Sequence, residues 1–196
     1  MKILVACEYS GIVRDAFTAK GHDAWSCDIL PTESKGNHIQ DDILKHLDRD
    51  WDLMIAHPPC THLSVSGARW FSEGRKPLYL RTNALNFVKK LMNAPINKIA
   101  IENPVSVISS HIRKSDQTIQ PYQFGHPHMK TTCLWLKNLP KLKPTKIVDV
   151  EYVTTKSGRK WSKWFYETSL IPLQERGKIR SKFFKGIAKA MAAQWS

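Results

Sequence analysis

Close cysteine pairs are missing from this sequence. Its four cysteines, Cys7, Cys27, Cys60 and Cys133, stand far apart, and three of them lie in or beside apolar, strand-like runs. That pattern argues against a disulfide-stapled secreted scaffold and reads as reduced thiols in a cytoplasmic protein. No signal peptide or membrane span is expected at the N-terminus, because Met1-Lys2-Ile3-Leu4-Val5-Ala6 is too short and too soon polar. Internal repeats and low-complexity stretches are absent as well. Acidic residues are scarce in the last third: residues 130–196 hold 15 Lys/Arg against 4 Asp/Glu, whereas residues 1–129 hold 15 against 13. Most of the net charge of +13 therefore sits on the C-terminal part. A basic third on a near-neutral body points to a polyanion partner, most simply nucleic acid. A solubilising surface is the plain alternative.

What is present is an ordinary globular composition. At 196 residues, 42% hydrophobic and 24% charged, the chain is long enough for one domain with a real core. Lys2–Ala6, Asp23–Cys27 (ending at Asp28), Leu53–Ala56, Ile99–Ile101 and Thr132–Leu136 predict strands. Ile12–Lys20 and Arg81–Asn93 predict helices, the second with Ala84, Leu85, Val88, Leu91 and Met92 on one face. Glu33–Gln40 reads as polar loop and Ile43–Leu47 as a short helix. Strand and helix alternate with short connections, which predicts an α/β fold with a Rossmann-like, doubly wound, mostly parallel sheet. Beyond Leu139-Pro140 the pattern changes. Val148–Thr155 and Arg159–Tyr166, joined through Lys156-Ser157-Gly158, predict a small β-hairpin. A closing helix follows, with Phe184, Ile187, Ala188, Met191 and Trp195 on one face and Lys182, Lys185 and Lys189 off it. The expected organisation is a single domain over 1–196, with 141–180 a small basic recognition insert.

Chemistry concentrates at two strand ends. His57-Pro58-Pro59-Cys60-Thr61-His62-Leu63-Ser64 directly follows the apolar run Leu53–Ala56. Proline lacks an amide donor and fixes φ, so the strand cannot continue. Cys60 is thereby expected at the C-terminal edge of the sheet, where open α/β folds place their ligands. A lone buried cysteine is usually inert, but Arg69 and Lys130, if close in space, would lower its pKa. The second strand end is Ile99-Ala100-Ile101-Glu102-Asn103-Pro104. A glutamate closing an apolar strand is costly to bury for packing alone, an edge or capping role being the alternative. A thiol and a carboxylate facing one crevice suggest covalent chemistry on a base or similar ring. No metal is expected. Zinc usually takes four ligands, and His57, Cys60 and His62 have no second Cys or His pair at suitable spacing. The zinc deaminase pattern would need a cysteine where Leu63 stands.

These residues resemble a known family. Asp52–Trp70 is similar to the catalytic loop of the DNA cytosine-5 methyltransferases, with Pro59-Cys60, Ser64 and Gly67 in order. Ile101-Glu102-Asn103 resembles their second catalytic motif, and the resemblance extends over residues 1–140 plus the last helix from Phe183. It implies S-adenosylmethionine as cofactor and DNA as partner. It also implies Cys60 as the nucleophile toward carbon 6 of cytosine, and Glu102 as the group holding N3 and the exocyclic amine. Lys130, in His128-Met129-Lys130-Thr131-Thr132, would support the ring carbonyl or the phosphate, and the base would leave the stack. For the cofactor, Glu8, Ser10 and Gly11 fall at the family's glycine-rich turn. Asp28 falls where an acidic residue holds the ribose hydroxyls, Asp42 where an aspartate meets the adenine, and Pro58 joins this set.

The sequence departs from the family pattern in three places. The turn Glu8-Tyr9-Ser10-Gly11 has one glycine where the family has two, and Lys130 and Thr132 stand in place of arginines. Only about 40 residues separate the Cys133 strand from the last helix, where the family usually carries a larger target-recognition region. Within that stretch Arg159, Lys160, Trp161 and Lys163 are candidates for DNA contact, with packing of the aromatics an equal alternative. Three other readings stay open. One is the same chemistry on a free pyrimidine nucleotide. Another is an amino-methyltransferase, whose double-proline turn His57–Cys60 half matches. The third is a non-catalytic nucleic-acid-binding protein on a methyltransferase-like scaffold.

Overall fold

Four of the five residues of the first strand, Lys2–Ala6 (β1), are fully buried. A strand open to water on one face would alternate instead, so both faces of this one must be covered. The computed structural model, which describes residues 1–196, shows how. β1 is followed by α1 (Ile12–Thr18), β2 (Asp23–Asp28), β3 (His38–Gln40) and β4 (Leu53–Ala56). Then come α2 (Arg69–Ser72), α3 (Leu78–Met92), β5 (Lys98–Pro104), α4 (Ile108–His111), β6 (Gln117–Ile119) and β7 (Thr132–Lys137). The C-terminal part holds β8 (Tyr152–Thr154), β9 (Lys160–Ser162), α5 (Lys163–Leu170), α6 (Leu173–Ser181) and α7 (Lys185–Gln194). No helix is long and apolar enough to cross a membrane.

Seven strands form one sheet in the order β3-β2-β1-β4-β5-β7-β6, while β8 and β9 pair separately. The first five run parallel; β7 is antiparallel to β5, and β6 to β7. This is the doubly wound sheet that the alternating pattern predicts. Side chains along a strand point alternately up and down, so one run of sequence feeds two cores. On one face Leu4, Ala6, Met54, Ile99 and Ile101 pack with Leu85, Val88 and Leu91 of α3. On the other, Ile3, Val5, Leu53, Ile55 and Leu134 meet Phe17 of α1, Ile187 and Met191 of α7, and Trp195. The strand order reverses between β1 and β4. At such a switch point the loops leaving the carboxyl ends diverge to opposite faces and open a crevice.

Four local expectations are corrected. Glu33–Gln40 is not wholly loop, because His38–Gln40 adds β3 to the edge of β2. Only three residues are involved, too few for a pattern of alternation to show. The helix at Arg81–Asn93 begins three residues earlier, at Leu78, just after Pro77. The stretch Ile43–Leu47 makes only a single 3₁₀ turn over Ile43–Lys45. Finally, the second strand of the hairpin stops at Ser162, and Lys163–Leu170 is helical. Its aromatic content favours strand, but the helix brings the Phe165 ring back to within 5.2 Å of Trp161 of β9, and Arg180 of α6 lies 4.4 Å from the Phe165 ring. Packing against α6 thus overrides a weak local preference.

The C-terminal helix docks through its second residue. The Gly186 amide donates to His126 Nε2 at 2.8 Å, and a Cβ there would overlap the Phe124 carbonyl oxygen. Gly186→Ala is therefore expected to destabilise the fold by about 1–3 kcal/mol, the usual range for overpacking. Thermal denaturation of wild type and variant checks this; an unchanged midpoint would show that α7 can shift freely.

Candidate active site

The two strand ends singled out in the sequence emerge side by side at the carboxyl edge of the sheet. The turn after β4 is tied to both neighbours. The His57 amide donates to Ala6 O at 2.9 Å, and Asn103 Nδ2 donates to Pro58 O at 2.8 Å. Pro58 is buried, and Asn103 is 1% exposed. The prolines cannot donate, so the turn is held from outside. Cys60 stands exposed at its end, with the Leu63 and Ser64 amides folded back onto its carbonyl at 3.0 and 2.9 Å.

Glu102 projects from the end of β5 and accepts a hydrogen bond from His57 Nδ1 at 3.1 Å. Both side chains are nearly buried, at 12% and 13% exposure. Burial is the largest influence on the Glu102 carboxyl and pushes its pKa up. The hydrogen bond and charge of His57, with the charge of Lys130, outweigh it and leave the pKa below the ordinary value. The Cys60 thiol is shifted the other way. Desolvation of the sulfur raises its pKa first, the Glu102 charge raises it further, and Lys130 opposes both. The shift is upward even though the residue as a whole is exposed, so the resting group is a thiol rather than a thiolate. Of the two cations expected to lower it, only Lys130 acts; Arg69 instead lies 4.7 Å from the Trp70 ring. Lys130 Nζ itself donates to Arg180 O at 2.7 Å and sits 5.7 Å from the Phe184 ring centre.

The turn after β1 departs most from expectation. Glu8 is 4% exposed and points inward, accepting from the Val13 and Arg14 amides at 2.7 and 3.1 Å. Its carboxylate thus caps α1, where the helix dipole favours a negative charge. Ser10 Oγ lies 3.3 Å from the same carboxylate. Gly11 has φ +73°, and a side chain there would overlap Ser34 Oγ and the Arg14 guanidinium. These three residues are occupied in building the turn. Asp28 and Asp42 are placed differently. Each accepts one backbone amide, from Leu30 and Leu44 respectively, both at 3.0 Å. Burial raises the pKa of the Cys7 thiol, and the charges of Asp28, Cys27 and Asp42 raise it further.

The basic C-terminal part covers this edge. Phe183 lies 4.8 Å from the His57 ring, Tyr9 Oη is 3.1 Å from Ser181 Oγ, and Lys178 and Lys182 both bind Glu33, at 2.9 and 2.8 Å. The hairpin residues stand apart. Arg159 and Lys160 are exposed and form no ion pair, whereas Lys163 is held by Glu151 at 3.0 Å and Trp161 stacks on Phe165. His57 is the member of the site to which sequence reading gave no role beyond a rejected metal set. Its position just before the Pro-Pro-Cys turn was the available signal. Its partner lies 45 residues away, and only the pairing of β4 with β5 brings the two together.

No protein-family model and no curated protein matches the chain. Among solved structures it is similar to an E. coli prophage-encoded protein described as a candidate DNA modification methyltransferase. The two are 14% identical with a TM-score of 0.48, over 91% of this chain and 68% of that one.

The His57–Glu102 pair makes a titration testable. Because the folded pKa of Glu102 is lowered, the pair stabilises the protein above the ordinary carboxylate pKa, and that contribution is lost as pH falls through the lowered value. His57→Ala removes two of the lowering influences and leaves burial, so the Glu102 pKa is expected to rise. Carbon-13 NMR titration of the glutamate carboxyl reads the direction; no upward movement would mean that His57 does not hold the charge.

Proposed function

We propose that this chain is a methyltransferase that modifies carbon 5 of cytosine in DNA through a covalent Cys60 adduct, with S-adenosylmethionine as methyl donor. The observation that carries this reading is geometric: Cys60 and Glu102 follow neighbouring strands at one sheet edge, tied together by Asn103 Nδ2 to Pro58 O at 2.8 Å and by His57 Nδ1 to Glu102 at 3.1 Å. Glu102 and Lys130 both act on the Cys60 thiol, and Lys130 acts on Glu102. A nucleophile, an acid and a cation at one sheet edge are what attack on an electron-poor ring requires. The carboxyl ends of β1 and β2 suit the donor. Asp28 at the end of β2 and Asp42 just beyond the neighbouring β3 would serve as acceptors, and Ile29 beside Asp28 is 74% exposed, an apolar surface for a flat ring. When bound, S-adenosylmethionine supplies an electrophilic methyl group. Ser10, Gly11 and the buried Glu8 and Pro58 serve that side by shaping the turns.

The residues act in sequence on the base. Glu102, ionised at rest, takes the Cys60 thiol proton as the base enters and presents it to N3. Uptake of the thiol proton removes the Glu102 charge that raises the Cys60 pKa, so the thiolate forms beside the ring. The Sγ–C6 bond forms while the C5–C6 π pair moves into the ring and N3 takes the Glu102 proton. His57 Nδ1, hydrogen-bonded to Glu102, keeps the carboxylate placed to take the proton back from N3 when Sγ leaves. After carbon 5 is substituted, loss of its proton to water expels Sγ and restores the double bond. Lys130 supports the charge on the ring carbonyl, and Arg159 and Lys160 contact phosphates.

Incubating the protein with S-adenosylmethionine and DNA containing 5-fluorocytosine tests this directly, because fluorine at carbon 5 blocks release. Wild type is expected to give a covalent adduct on a denaturing gel and Cys60→Ala none. No adduct with wild type, or an adduct that survives Cys60→Ala, would sink the reading. With ordinary cytosine, Glu102→Gln is expected to slow turnover by about 10²–10⁴-fold.

A further inference from the structure

The first turn of α3 carries an unexplained cation. Arg81 lies in the first turn of α3, and its guanidinium carbon is 4.0 Å from the centre of the Phe71 ring. Its Nε and Nη2 are sealed from solvent and have no hydrogen-bond partner. Together these atoms form the side-on edge of the guanidinium fork. A buried donor left unmade costs about 1–3 kcal/mol, more when charged, and such groups in folded proteins call for an explanation. No carboxylate supplies one. Glu73 is the only acidic residue in 61–81, and Arg75 already takes it at 3.0 Å.

The surroundings add positive charge. Lys76 Nζ lies 5.9 Å from the same Phe71 ring, and Arg69 and Arg75 lie 4.7 and 5.0 Å from Trp70. The opposite connection leads to the reaction centre. His62 meets Phe71 edge-on at 6.1 Å, and His62 follows Cys60 in the turn that folds back on the Cys60 carbonyl. Phe71 therefore packs between the nucleophile's turn and Arg81.

We propose that Arg81 is a phosphate-binding residue of this site, gripping two oxygens of a phosphate side-on through Nε and Nη2 while Lys76 adds charge. A planar fork matches a pair of phosphate oxygens, and the match fixes orientation as well as affinity. The phosphate is the one next to the base presented to Cys60. This deepens the proposed function and rests on it for the identity of that base. The edge is reached by turning the side chain about its own torsions, since Arg81 as a residue is partly exposed. The phosphate itself belongs either to a DNA strand or to a free nucleotide.

The experiment compares wild type, Arg81→Leu, which keeps apolar packing on Phe71, and Arg81→Lys, which keeps charge without the fork. Thermal melting checks folding, and Arg81→Lys carries the test if Arg81→Leu does not fold. Binding of a labelled cytosine-containing oligonucleotide is followed by anisotropy across a salt series. The expected result for Arg81→Leu is affinity lower by on the order of tenfold and a salt slope reduced by about one. Arg81→Lys is expected to keep the slope and lose part of the affinity. Deoxycytidine monophosphate and deoxycytidine are titrated alongside. If wild type ignores the oligonucleotide but prefers the monophosphate to the nucleoside, and Arg81→Leu loses that preference, the phosphate site stands and the DNA reading falls. If wild type forms the 5-fluorocytosine adduct and Arg81→Leu binds DNA with unchanged affinity and slope, the phosphate site falls and the DNA reading stands. Binding of none of the three probes by wild type overturns the site.

Discussion

The hydrogen bond from Asn103 Nδ2 to Pro58 O is the contact on which the geometry of the site depends. Two consecutive prolines end β4 sharply, but neither has an amide with which to fasten the turn. A buried carbonyl in such a turn needs a donor from elsewhere. Asn103, buried at the end of β5, supplies it, and the next residue back, Glu102, is thereby set facing His57. One side-chain amide thus fixes the spacing between the loop that carries the thiol and the strand that carries the carboxylate. Its Oδ1 remains buried without a partner, so this residue sits under polar constraint as well as supplying one.

A second constraint shapes the turn after β1. Where close backbone approach would normally rely on glycines, this chain uses charge. Glu8 takes up the first free amides of α1, and Arg14, fully buried, donates to Ser26 Oγ, Thr32 Oγ1 and the carbonyls of Ser34, Lys35 and Asn37. A buried guanidinium is costly unless its donors are satisfied. Here it is surrounded by acceptors, and the loop 32–37 is ordered around it. The buried position of Glu8 follows from the same arrangement and leaves Asp28 and Asp42 as the carboxylates at the open edge.

The basic C-terminal third also builds part of the site's cover. Lys178 and Lys182 bind Glu33, Lys163 binds Glu151, and Lys130 gives one of its donors to the Arg180 carbonyl beside the site. These contacts draw α6 and the following residues across the crevice, so that Phe183 touches His57. Exposed ion pairs are individually weak and screened by salt. The cover is therefore held by many small contacts rather than by a core, as the lack of any buried residue in α6 also shows.

Much of the fold was legible from the residues themselves. Continuous apolar runs such as Leu53–Ala56 announce strands buried on both faces, and the 3.6-residue period of Leu85, Val88 and Leu91 announces a helix, because these patterns arise from local geometry. The Pro-Pro-Cys and Glu-Asn strand ends were legible for the same reason. Three-residue strands such as β3 and β6 carry no period, and the aromatic run at Trp164–Tyr166 favours strand until α6 packs against it. The inward turn of Glu8, the pairing of His57 with Glu102 and the closure by Phe183 were beyond sequence reading. Each joins residues whose proximity comes from strand order or helix docking, and no local propensity encodes that. Sequence alone determined which chemical groups end the central strands; the tertiary structure decided which of them meet, because a sheet brings its neighbours together by register rather than by distance along the chain.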